Sequence, residues 1–319
     1  MLVTGGAGYV GSMLVRELLE RGVRVRALDS LLGKDGRSLL GCWSDPLFEF
    51  VRGDIRDGEI VARALDGVDA VVHLAAIVGD PACTRQPELA REVNFEATTN
   101  LLGAAQACGV RRFVFASTCS NYGKLNGSAY ATEEFELRPI SLYAETKVAA
   151  ELEVLDRSRP DFQTVCLRLA TVYGASPRMR FDLTVNEFTR DVVLGRPLIV
   201  YGEQFWRPYV HVGDAARAIA DVLEAGVSDV AGEVFNVGDT QENYRKLDLV
   251  GLLRERHSDL EVEFVPQDDD PRDYRVSFDK IRARLGFNVT TRVPGGIDEV
   301  AEIVRSGAIA DPDAPIYRN

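Results

Sequence analysis

Apolar residues recur along the chain with two periods that take turns. Short runs at residues 2–4, 23–28, 48–51, 70–74, 113–117 and 164–169 are rich in Val, Leu, Ile, Phe and Ala. Strands covered on both faces of a parallel sheet read as such near-continuous apolar runs. Between them lie segments with helical spacing, notably 9–19, where Val10, Leu14, Leu18 and Leu19 share one side, then 89–108 and 143–156. Strand and helix in alternation predict a Rossmann-type, doubly wound α/β fold. Beyond residue 170 the rhythm weakens into loops and short helices. A return to the sheet is expected over 209–212, followed by a helix from Asp214 and a strand over 233–237. The expected division is residues 1–167 and 207–237 as a nucleotide-binding domain, with 168–206 and 238–319 as a smaller α/β substrate domain. The first strand has only three residues before the first glycine, which is short for a central strand.

With 319 residues the chain can bury a large core, and its length suits one α/β unit plus an appended region. A net charge of −12 argues against nucleic acid or an anionic membrane surface as partner. In so acidic a chain, single arginines that would hold an anion become informative. No apolar run reaches membrane-spanning length and no signal-peptide pattern is present. The five cysteines lack metal spacing and read as reduced thiols in a cytoplasmic protein. With three histidines, none at ligand spacing, no metal site is expected.

The chemistry starts at Gly5-Gly6-Ala7-Gly8-Tyr9-Val10-Gly11, between the first strand and first helix. Glycine lets the backbone approach a pyrophosphate, and the helix N-terminus adds free N–H groups and a positive dipole end. Gly5, Gly8, Tyr9, Val10 and Gly11 are the expected contacts. Asp29 ends the second strand, roughly 20 residues past the turn, where a carboxylate accepts from the adenosine ribose hydroxyls. It repels a 2′-phosphate, so NAD is favoured over NADP. Tyr143 and Lys147 stand four apart in a helical segment and project from one face. A nearby ammonium stabilises phenolate and brings a phenol toward use as a base. Thr118 follows a strand and lies at the carboxyl edge of the sheet, where ligands of open α/β sheets bind. Thr118, Tyr143 and Lys147 together can take a proton from a secondary alcohol while NAD takes the hydride.

On these segments the chain resembles the extended short-chain dehydrogenases/reductases, within the nucleotide-sugar epimerase and dehydratase group. The similarity runs nearly end to end, adding Gly53-Asp54-Ile55-Arg56-Asp57, His73-Leu74-Ala75-Ala76, Val93-Asn94, and the stretches 117–123, 168–174, 207–214 and 279–287. The resemblance implies a nucleoside-diphosphate sugar as substrate. Asp54 and Ile55 would meet the adenine, Leu74, Ala75, Ala76 and Asn94 would line the cofactor, and Lys147 would also bond the nicotinamide ribose. Arg207 would hold the substrate diphosphate. A homodimer is expected.

Departures from the family bear on the reaction. Its 4,6-dehydratases follow the catalytic Thr with Asp-Glu, where this chain has Cys119 and Ser120. Its 3,5-epimerases place a cysteine one residue later, so that role does not transfer to Cys119, which reads as a small buried hydrophobe. Runs at 137–141, 168–174, 176–180, 182–189 and 270–274 resemble a branch acting on nucleotide-linked heptoses, including a C4 dehydrogenase. Thr171 stands where many epimerases have Asn. Thr171 and Asn186 are expected at the sugar, and Arg178, Arg180, Arg207 and Arg272 are candidates for the diphosphate. A 4-epimerase is favoured, with a C4 dehydrogenase or ketoreductase as the alternative, because both use the same residues. A regulator that kept the fold and lost the chemistry would be expected to lose Tyr143 or Lys147, and both are present.

Overall fold

The computed structural model describes residues 1–32, 35–125, 129–266 and 273–319. The strands in chain order are β1 (Leu2–Thr4), β2 (Val25–Asp29), β3 (Phe48–Arg52), β4 (Ala70–His73), β5 (Arg112–Thr118), β6 (Tyr130–Ala131) and β7 (Gln163–Leu169). They continue with β8 (Thr171–Tyr173), β9 (Leu198–Tyr201), β10 (Trp206–His211), β11 (Glu233–Val237), β12 (Asn243–Arg245), β13 (Val262–Val265) and β14 (Arg275–Val276). Helices α1 (Tyr9–Glu20), α2 (Gly58–Leu65), α3 (Asp80–Arg85), α4 (Pro87–Arg91), α5 (Ala97–Ala107) and α6 (Leu142–Asp156) belong to the first half. The second half adds α7 (Thr184–Val193), α8 (Val212–Glu224), α9 (Val227–Val230), α10 (Lys246–Arg254), α11 (Asp279–Leu285) and α12 (Val293–Arg305).

Seven parallel strands form the main sheet in the order β11-β7-β5-β4-β1-β2-β3. Strand alternation divides its side chains between two cores. Val3, Val72 and Val114 pack with α1 and α8, whereas Leu2, Val71 and Phe113 pack with α2, α5 and α6. Sheets of this kind bind ligands outside the carboxyl ends of their strands, where the order reverses. That reversal falls between β1 and β4. The short β1 is fully buried and paired on both sides, and the Met1 carbonyl extends its ladder by accepting the Arg26 N–H at 2.8 Å.

One expectation is corrected. The run 209–212 does not return to the main sheet: β10 pairs with β8 and antiparallel with β12 in a separate three-stranded sheet. The return is made by α8, which packs on α1, and by β11. The helix expected over 89–108 starts at Pro87 and contains a π-helical turn, Glu92–Glu96, before α5. A third core built on Tyr173, Phe188, Val200, Tyr209 and Leu249 holds the second lobe together. Among the described residues no helix is long and apolar enough to cross a membrane.

Candidate active site

The turn after β1 is built for close approach. Gly5 adopts φ +72°, and a Cβ there would lie 2.7 Å from the Ala75 nitrogen. A Cβ on Gly11 would come within 2.1 Å of the Gly5 carbonyl oxygen. Helix α1 follows its N-cap Gly8 without any side-chain cap, which leaves its first N–H groups for an anion. Asp29 closes the turn by accepting from Ala7 N–H at 3.0 Å and Leu31 N–H at 2.8 Å. Burial raises its carboxyl pKa, while those two donors and Arg178 oppose the rise. An uncapped helix end beside a held carboxylate fits a dinucleotide's pyrophosphate and ribose. Val10 is half-buried, Ile55 is buried, and Asp54 pairs with Arg56 at 2.9 Å beside it. The Leu74 N–H donates to Thr4 O, and the Ala75 N–H reaches Thr4 Oγ1 at 3.4 Å; Ala76 follows, half-buried.

Two residues expected at the cofactor are occupied elsewhere. Asn94, 1% exposed, accepts from Ile77 N–H and donates to Ile77 O, pinning the loop after β4 with its whole amide. The π-helical turn aims it inward. The Tyr9 hydroxyl donates to Gly174 O at 2.6 Å, so its ring joins the two lobes and only its backbone faces the turn.

The three residues expected to be catalytic lie on β5 and α6, which pack together. Thr118 is the last residue of β5, and its Oγ1 accepts the Ser120 N–H at 3.1 Å. Helix α6 packs on β5 and on the turn Cys119–Tyr122. Its N-cap, Ser141, accepts from Ala144 N–H and donates to Asp80 at 2.6 Å, fixing the helix two residues before Tyr143. Burial pushes the Tyr143 phenol up, as do Cys83 and Asp80, and Arg180 pulls it down. The Lys147 ammonium lies 4.0 Å from the centroid of the Phe115 ring. Burial drives it down to about 7, with Cys166, Glu151 and Cys83 opposing. Phenol and lysine thus both favour their neutral forms here, and a cation placed beside them would tip the pair toward phenolate. Cys119 is 1% exposed, donates to Arg168 O at 3.2 Å, and burial pushes its thiol well up.

Thr171 lies in β8, half-buried. Arg178 is 8% exposed; one amino group meets Arg318 O and Asn319 Oδ1, and Nη1 has no hydrogen-bond partner among the described residues. Burial, then Arg180, lowers its pKa to about 10, and Asp182 and Asp29 oppose that. Arg180 is held by both oxygens of Asp182. Arg207 lies 5.5 Å from the Tyr274 ring, and the Tyr274 hydroxyl is 3.3 Å from Ser120 Oγ. Asn186, expected at the sugar, is fully buried: it accepts from Gly174 N–H and donates to Tyr9 Oη, Gly174 O and Arg180 O. Its amide is engaged inside the fold. Arg272 lies outside the described residues.

Asp80 and Glu151 escaped the sequence reading, and Tyr274 entered it only as the end of the run 270–274. Glu151 carried a signal, standing one helical step of four beyond Lys147. Among the described residues no cluster of three or more His, Cys, Asp or Glu is arranged to hold a metal.

The NAD dependent epimerase/dehydratase family model matches residues 1–238. A dTDP-glucose 4,6-dehydratase of Streptomyces niveus is 34% identical over 318 residues, covering 96% of this chain and 92% of the relative. The UDP-glucose 4-epimerase of Thermus thermophilus, solved with NAD, is 32% identical with a TM-score of 0.82 and covers 95% of this chain and 98% of its own. A UDP-glucuronic acid 4-epimerase of Bacillus cereus, solved with its substrate and NAD, has a TM-score of 0.85 at 25% identity and covers 96% of this chain and 98% of its own. The chain belongs to the NAD-dependent epimerase/dehydratase family of extended short-chain dehydrogenases/reductases. It is an enzyme of that Rossmann-fold class, and NAD is the family's cofactor.

Proposed function

We propose that the protein is an NAD-dependent nucleotide-sugar 4-epimerase working through a transient 4-keto sugar. The observation that carries this is the turn after Thr118. Cys119 is sealed in the core against Arg168 O, and Ser120 faces Tyr274. Neither supplies the carboxylate needed to remove a C5 proton and divert the ketone into dehydration. Bound NAD supplies a reversible hydride acceptor. Tyr143 takes the C4 hydroxyl proton and returns it, Thr118 bonds the same oxygen, and Lys147 supports the phenolate and the nicotinamide ribose. The Gly5–Gly11 turn and Asp29 hold the dinucleotide. Arg178, whose Nη1 has no hydrogen-bond partner among the described residues, Arg180, Arg207 and Arg272 are the candidates from which two or three balance the sugar diphosphate, and Thr171 faces the sugar. The same reading takes the enzyme as a cytoplasmic homodimer; the buried free thiols Cys42, Cys83, Cys119 and Cys166 support a reducing compartment.

The test uses UDP- and dTDP-sugars deuterated at C4, without added NAD. Deuterium retained at C4 of an inverted product is expected. Free ketosugar with stoichiometric NADH would instead favour the C4 dehydrogenase, for which the runs resembling the heptose branch speak. A 4-keto-6-deoxy product would overturn both.

A further inference from the structure

Helix α6 carries three ionisable groups on one stripe: Tyr143, Lys147 one turn on, and Glu151 one turn deeper. Glu151 is 1% exposed. A buried carboxylate is costly unless its lone pairs are filled, and here they are. Ser117 Oγ donates to Oε2, Asn121 Nδ2 reaches the same oxygen at 3.3 Å, and Arg168 Nε donates to Oε1 at 3.1 Å. A second Arg168 nitrogen makes the contact bidentate. Ser117 precedes Thr118 and Asn121 follows it by three, so one carboxylate clamps both ends of the turn that presents the Thr118 hydroxyl. Arg168 extends the clamp, donating from Nη1 to Tyr122 Oη at 2.9 Å and to Glu133 O at 3.0 Å. Tyr122 in turn donates to Asn236 in β11 at 2.7 Å. Glu151 is also one of the negative neighbours that sustain the charge on Lys147.

We propose that Glu151, with Arg168 as its counter-ion, is a positioning residue for the reaction. It holds the Thr118 hydroxyl in register with Tyr143. This rests on the roles given above to Thr118, Tyr143 and Lys147. A purely structural ion pair would behave otherwise. Removing both charges together leaves neither one buried without its partner, so folding and positioning can be separated.

The experiment compares NAD-loaded wild type, Ser117→Ala and the double variant Glu151→Gln/Arg168→Met. Reduction of bound NAD by UDP-glucose is followed in a single turnover, beside the half-saturating substrate concentration and the NAD content. The phenolate absorbance of each protein is titrated against its own Tyr143→Phe baseline, a measurement that needs no substrate. In the double variant the NADH rate is expected to fall about ten- to a hundredfold, with half-saturation within roughly threefold of wild type, as misplacement of a bound reactant does. The Tyr143 phenolate is expected to form at higher pH, because a Thr118 hydroxyl out of register no longer donates to it. A folded, NAD-loaded double variant with a wild-type rate and titration overturns the proposal. If the double variant does not fold, Ser117→Ala decides: a slower rate at unchanged half-saturation supports the clamp, and a wild-type rate overturns it. If UDP-glucose reduces no NAD in wild type, the functional reading fails for that sugar, while the phenolate titration still decides the positioning role.

Discussion

The side-chain amide of Asn186 donates to the Tyr9 hydroxyl oxygen at 3.1 Å, across 177 residues of chain. That hydroxyl donates onward to Gly174 O at 2.6 Å. Helix α1, next to the glycine turn, is thereby tied to the loop after β8 and to α7. Ser176 adds a bond to Tyr9 O at 2.7 Å.

Tyr9→Phe should therefore loosen the junction. It strips a partner from two buried polar groups, a loss worth about 1–3 kcal/mol. Urea unfolding is expected to show a lower midpoint at an unchanged slope. An unchanged midpoint would mean that Asn186 and Gly174 satisfy each other without the phenol.

Tyr143→Phe should leave NAD bound and stop hydride transfer. Removal of one general base costs about 10²–10⁴-fold. The check is single-turnover NADH formation alongside the NAD content of the purified variant. More than a tenth of wild-type rate would remove Tyr143 from the role of base.

NAD should bind far better than NADP. The Asp29 carboxylate is held by two backbone N–H groups and cannot swing away without leaving both unpaired. Arg26 is no rescue for a 2′-phosphate, because Glu49 and the carbonyls of Ala64 and Asp66 already hold it. Calorimetry on cofactor-stripped protein with each dinucleotide checks this. Equal affinities would point to Arg178, which feels the Asp29 charge.

Lys147 should give the cofactor-free protein a pH-dependent stability. Its ammonium is pushed down to about 7 in the fold, against 10.5 when free. Between these values the unfolded chain binds more protons, so stability rises as pH rises through that window. Below about pH 7 the burial cost is fully present. Tyr143 acts in the opposite sense only above its ordinary pKa of 10. The unfolding free energy from urea titrations is expected to climb from pH 7 to pH 9.5, by on the order of 1–3 kcal/mol, and Lys147→Met should flatten the climb. An equal slope in the variant would assign the effect to another group.

Local order was legible in the chain because it depends on neighbours a few residues apart. The glycine spacing forces a turn that only a bare Cα can make, as the clash at Gly11 shows. The four-residue step from Tyr143 to Lys147 puts them on one face of α6 whatever the rest does. Alternating apolar runs required a parallel sheet covered on both faces, and β1 to β5 and β7 fall where those runs lie. Partners brought together by folding were not legible. Asn94 and Asn186 carry free amides in the sequence, and only the packed structure commits each to a backbone loop. The strand at Tyr209 has the apolar character of a main-sheet strand, yet its edge is taken by β8 and β12. The sign and size of the shift at Lys147, and the filling of Glu151 by Ser117, Asn121 and Arg168, likewise come from chain segments many residues away. Residue type and periodicity determine which groups can act. Burial and the identity of distant partners decide which remain free to do so, because both the cost of desolvation and the bonds that offset it exist only after the chain has closed on itself.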